Sequence, residues 1–227
     1  MSSKPYFPRS AALVAAGAVA LVAVSGCIDI LAKKQNVIVD AISAADVPKP
    51  SGQSYRLFVR HAVPGSIPVQ LPVVAACVDA ALVGQGMFEA PPRVPPDVFI
   101  EVGFGTDSTP RIDLASRETF LQLVARENPG RSLDGPTGRE VWDVRVSVFG
   151  MRGRIESAMP MLSAVAASNI ATNSHQETET KIRENSPLVV SVREAAVEAL
   201  ETGGRAGGGA AARPTGSLGG GSTGPAK

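Results

Sequence analysis

The sharpest alternation of apolar and polar residues runs through EVWDVRVSVF at Glu140–Phe149. Trp142, Val144, Val146 and Val148 fall on one side, and Asp143, Arg145 and Ser147 on the other. That two-residue period is the mark of a half-buried antiparallel strand. Weaker versions of the pattern recur. NVIVDAI at 36–42 is rich in β-branched residues and predicts a strand. At 55–60, Tyr55, Leu57 and Val59 oppose Arg56, Phe58 and Arg60. At 97–104, Val98, Ile100, Val102 and Phe104 oppose Phe99, Glu101 and Gly103. TFLQLVARE at 119–127 fits helix or strand. The turn signals after it, Asn128-Pro129-Gly130 and Asp134-Gly135-Pro136, favour a strand. At 176–183, Thr178, Thr180 and Ile182 alternate with Glu177, Glu179 and Lys181, as an edge strand would.

Helical spacing replaces the two-residue period in three places. Residues 68–83 carry Leu71, Val74, Val78, Ala81 and Leu82 with Asp79 as the sole charge, which predicts a largely buried helix ended by Gly84 and Gly86. Pro72 falls near its first turn, where a missing N–H costs little. Residues 155–170 form a second apolar helix with Pro160 near its start. Ser186-Pro187 reads as an N-cap and first helical residue, and a third helix runs to Glu201. Its apolar stripe is read as Leu188, Val192, Ala195, Ala196, Ala199 and Leu200. The order β-β-α-β-β-β-α-β-α predicts an α/β (α+β) two-layer sandwich, with a mixed, mostly antiparallel sheet and helices on one face.

The ends of the chain are of different composition. Lys4 and Arg9 precede an unbroken apolar run at 11–24, which is short for a bilayer span of about 20 residues. It suits the hydrophobic region of a secretory signal peptide. Val24-Ser25-Gly26-Cys27 resembles the bacterial lipoprotein box. By that resemblance Cys27 becomes the lipidated first residue of the mature protein; the alternative is an uncleaved anchor that happens to end in cysteine. Residues 1–26 are then a lipoprotein signal peptide, 27–35 a lipidated tether, 36–201 one domain, and 202–227 a disordered Gly-rich tail. A triacylated terminus would hold the protein at the cell envelope essentially permanently. Ile28, rather than aspartate, follows the cysteine, which points to the outer membrane facing the periplasm.

Charge and cysteine usage narrow the function. Removing 1–26 takes away two basic residues and no acid, leaving 20 basic against 21 acidic residues and a net charge of −1. Nothing there suits a nucleic-acid partner. Once Cys27 is lipidated, Cys77 is the one remaining cysteine. It reads as a buried thiol in the first helix, or as an intermolecular disulfide.

NVIVDAI, SYRLFVR, AACVDAALVGQGMFEAPP, PDVFIEVGFG and EVWDVRVSVFG, behind a lipobox, together resemble bacterial envelope lipoproteins built on the domain of unknown function 4136. The resemblance covers most of the mature domain but not the tail. It implies a fold and a compartment, and no activity or catalytic residues.

A search for chemistry finds no G-x-S-x-G, H-E-x-x-H, C-x-x-C or phosphate-binding glycine loop, and no cofactor is expected. His61 and His175 read as solvated residues at strand ends; a hydrolase would need them to converge. Asp107, Ser108, Thr109 and Asp113 could hold a cation, and turn chemistry explains them equally well. The leading expectation is a non-enzymatic envelope module that binds an envelope protein or polymer. A carrier of lipid between the first helix and the sheet is the alternative, and a hydrolase the third. The expected partner surface is the outward sheet face bearing Arg56, Phe58, Phe99, Glu101, Asp143 and Arg145.

Overall fold

A computed structural model describes residues 33–47, 50–59, 70–107, 117–151 and 154–206. Cys27, Arg60, His61, residues 108–113 and the tail beyond 206 lie outside the described residues. The elements are β1 (Lys34–Ser43), β2 (Ser54–Val59), α1 (Leu71–Gly84), β3 (Phe88–Glu89), β4 (Val98–Asp107), β5 (Glu118–Glu127), β6 (Glu140–Phe149), α2 (Ile155–Ser168), β7 (Thr178–Arg183) and α3 (Pro187–Ala206). Strands β1–β7 form one mixed sheet in the order β3-β2-β4-β5-β6-β1-β7. The α+β class and the mixed, mostly antiparallel sheet are as the pattern predicts, and the ambiguous 119–127 segment is a strand.

Two of the helices lie in connections between parallel strands. β2 pairs in parallel with both β3 and β4, and α1 carries the chain from β2 into β3. β6 and β7 flank β1, each antiparallel to it, so they too run parallel, and α2 makes that crossover. α1 and α2 lie on one side of the sheet. There they pack against each other and against the sheet.

The core lies between. Val98, Ile100 and Val102 of β4, Leu121 and Leu123 of β5, and Trp142, Val144, Val146 and Val148 of β6 are all buried, as the alternation predicts. β6 carries one extra residue opposite β5: Ala125 pairs with Trp142, and Arg126 with Glu140. This bulge at Val141 buries two successive side chains, Val141 and Trp142. α2 is buried all round, every residue from 158 to 167, and its many alanines let neighbouring helices approach closely.

Four details differ from the sequence reading. α3 makes its main contacts with α1 and α2, lying on the helix layer. Its buried stripe is Val189, Val192 and Ala196, while Leu188, Ala195 and Ala199 face out. A helix resting on two others buries a narrow stripe, whereas the reading assumed a broad face. α3 also continues past Glu201 to Ala206. Finally, Ser186 caps the helix through its carbonyl, which accepts from Val190 N–H at 3.0 Å, while its hydroxyl finds no partner among the described residues.

Candidate functional site

The face of the sheet away from α1 and α2 carries all six residues named for a partner surface, but in three different settings. Cross-strand register sets their neighbours. Phe58, Glu101, Val124, Asp143 and Ile42 lie in one row across β2, β4, β5, β6 and β1. The next row holds Gly103, Gln122, Arg145 and Asp40. Arg56, Phe99 and Arg126 form a row on the other side of the first.

At that last row the face is covered at Phe99, which is a correction. Its parity is outward, yet it is 2% exposed. Phe58 packs edge-on against it at 5.3 Å. Arg56 is not free to recognise anything either. Its guanidinium donates to the carbonyls of Leu133 (2.9 Å), Pro91 (3.0 Å) and Val94 (3.0 Å). Those three carbonyls belong to the connections before β4 and after β5, so one side chain draws two loops together at this end of the sheet. An arginine offers five donors in a fixed fork, which suits it to tying several carbonyls at once.

The middle of the face stays open, with its side chains fixed. Gln122 donates to both oxygens of Asp143, at 3.0 and 2.9 Å. Arg145 lies 4.0 Å above the ring of Phe120 and pairs with Glu118 at 3.4 Å. Asp143 and Arg145 are therefore each held by β5 rather than by one another. The Phe120 ring rests on the backbone of Gly105, where an added Cβ would stand 3.0 Å from it. Glycine thus makes room for the ring, and the ring supports the guanidinium, a cation–π geometry. Phe58 (38% exposed) and Ile42 (59%) add apolar area at either end of the first row. Phe120, Gln122, Val124 and Ile42 were missing from the sequence-derived surface. The alternation in TFLQLVARE, once taken as a strand, points three of them outward.

Other candidates resolve differently. Cys77 is a free, buried thiol, and burial pushes its pKa up to about 11. His175 is exposed in a turn at φ 55°, its backbone N–H bound by Asn173 Oδ1 at 3.1 Å. His61 lies outside the described residues, so the pair's convergence is not observed. Among the described residues, no group of three His, Cys, Asp or Glu side chains could hold a metal ion, and no helix is long and apolar enough to cross a membrane.

Between α1 and the sheet, Val74, Val78, Leu82, Tyr55 and Ile100 are fully buried against one another. Tyr55 hydroxyl donates to Asp79. Burial first, and that bond second, raise the phenol's pKa well above its usual value. A cleft of about 270 Å³ opens at one end of the sheet, between Val47, Gln53, Asp97, Glu127 and Val141. Asp97 there accepts from Ser54 Oγ (2.7 Å) and N–H (2.9 Å), which holds its carboxyl below the ordinary range. The cleft is a strand-end junction whose carboxylate, Asp97, is satisfied within the fold.

No protein-family model and no curated protein matches the chain. Among solved structures it is similar to a PDZ domain protein from Parabacteroides distasonis, at 11% identity and a TM-score of 0.44, with 70% of this chain and 41% of that chain covered. The chain thus spans less than half the length of that protein. It is also similar to PelC, a dodecamer from Paraburkholderia phytofirmans, at 13% identity and a TM-score of 0.39, with 61% of this chain and 99% of that chain covered.

Proposed function

We propose that this is a lipid-anchored envelope protein of bacteria, tethered through Cys27 at the outer membrane, that binds another envelope component without catalysis. The domain 4136 resemblance belongs to the same reading. The observation that supports it is the open middle of the outer sheet face. There Arg145, stacked on Phe120, and Asp143, clasped by Gln122, present opposite charges beside the exposed rings and branches of Phe58 and Ile42. Side chains pre-ordered on strands lose little entropy on binding, and aromatic and arginine anchors dominate interface energetics.

Anchoring and binding are tested apart. Cys27→Ala should accumulate as unprocessed precursor, because lipid transfer needs the thiol; maturation to the normal size would remove the anchor from the reading. Arg145→Glu with Phe58→Ser should leave the fold intact and abolish crosslinks to the partner in whole cells. Unchanged crosslinking by that folded double variant would show that the face is merely solvated.

A further inference from the structure

One edge of the sheet is β7, the other being the two-residue β3. β7 is the last strand in the order, paired on one side only, to β1. Every edge strand leaves a row of N–H and C=O groups unpaired, and natural edges are commonly blunted with charge. β7 carries charge, but not of the blunting kind. Glu177, just before the strand, and the outer-face positions Glu179, Lys181 and Arg183 give two acids followed by two bases, with Thr180 at the centre. Their partners on β1 offer no opposite charge: Glu179 faces Ile38, Lys181 faces Asn36 and Arg183 faces Lys34. None of the four makes an ion pair among the described residues.

We infer that β7 is a self-complementary edge that pairs antiparallel with β7 of a second copy of this chain, about a two-fold axis through Thr180. In that register Glu177 meets Arg183 of the second copy, and Glu179 meets Lys181 of the second copy. The axis repeats both pairs, so all four charge contacts are between opposites. On the helix side Thr180 meets its own copy, and Thr178 arrives beside the half-buried Ile182. Because side chains alternate, only shifts of two keep each face in place. Such a shift sets Lys181 against Lys181 in one direction and Glu179 against Glu179 in the other. A parallel, in-register pairing stacks every charge on its like. Directly opposed like charges destabilise a sheet as opposite ones stabilise it, so one register is selected.

The strand is also held ready. Upstream, Ser174 N–H donates to Ala41 carbonyl at 2.9 Å, and Ala41 N–H donates to Ser174 Oγ at 3.0 Å. Downstream, Gln35 donates to Glu184 at 2.8 Å. Pinned at both ends, β7 offers its edge with little ordering left to do. An axis normal to the sheet joins two seven-stranded sheets into one, with the helices of both copies on the same side. The inference is independent of the partner surface proposed above.

Disulfide trapping in the full-length chain tests it. In the proposed register the two Thr180 Cα atoms stand about 4.5–5.5 Å apart, within reach of a disulfide. Thr180→Cys should therefore give a covalent dimer on mild oxidation. Glu179→Cys should not, since its two copies are displaced to about 8 Å. The parent chain, with Cys77 buried, is the control. In the Thr180→Cys background, Glu179→Lys alone or Lys181→Glu alone should cut the dimer about tenfold. Mixing those two single variants should restore it, because each then meets an opposite charge, and recovery on mixing also shows that both are folded. Trapping at Glu179→Cys equal to that at Thr180→Cys, a dimer indifferent to charge reversal, or Thr180→Cys captured instead by another protein or by residues 207–227, would each overturn the inference.

Discussion

The two faces of β6 are offset by a single residue, yet different forces hold them. On the inner face Trp142, Val144, Val146 and Val148 are all but sealed from water, and each contributes about 1.5–3 kcal/mol by leaving it. On the outer face Asp143 and Arg145 remain half-exposed, held by one amide clasp and one ring contact to β5. Contacts of that kind fix direction far more than they fix stability. The inner face makes the domain fold; the outer face is free to be shaped for something else. Phe99 and Arg56 show where the rule bends, since loops close over the outer face at one end and turn it into core.

Substitutions can separate the two faces. The largest effect belongs to Trp142→Ala, which empties a large, buried inner-face site and should cost about 3–5 kcal/mol in urea denaturation. Phe99→Ala is the sharpest test of the exception. If the covered end behaves as core it should cost about 3 kcal/mol; a loss near that of an exposed residue would put Phe99 back on the open surface. Tyr55→Phe removes one hydroxyl, bonded to the Asp79 carboxylate, and should cost about 2 kcal/mol. Tyr55 also predicts a pH effect with a definite sign. Its pKa is raised in the fold, so above about pH 10 the unfolded chain loses a proton that the folded chain keeps. Stability should therefore fall as pH rises through that range, and Tyr55→Phe should lessen the slope. The smallest effect is expected from Arg145→Ala, which should shift stability by under about 1 kcal/mol. A larger loss would mean that the outer face carries the fold as well.

Period-two alternation made the inner face legible, because burial on one side leaves a mark at every second residue. The same rule found the long strands, including β5, where turn signals had to decide between helix and strand. It could not find β3, since two residues carry no period. Nor could it foresee that Phe99 is covered. That depends on Arg56 gathering carbonyls from loops at Pro91, Val94 and Leu133, and loop positions leave no periodic trace. The shift of the α3 stripe from Leu188 to Val189 has a similar cause. Spacing sets which residues share a helix face, whereas the angle at which that face meets its support is a tertiary matter. On the outer face, charge drew attention to β6, while the supporting β5 residues Phe120 and Gln122 were passed over as ordinary strand positions.

β1 is the first strand in the chain, yet it lies between β6 and β7, with Val37 paired to Val148 and to Thr180. Both partners are more than a hundred residues further on. The β4–β5–β6 meander needs only connections of ten and twelve residues and can close early, while β1 must wait for loop closures across most of the domain. A chain made from its N-terminus therefore exposes NVIVDAI, a β-branched segment, until nearly all the rest has emerged. The earliest strand to be made is thus the last to be enclosed.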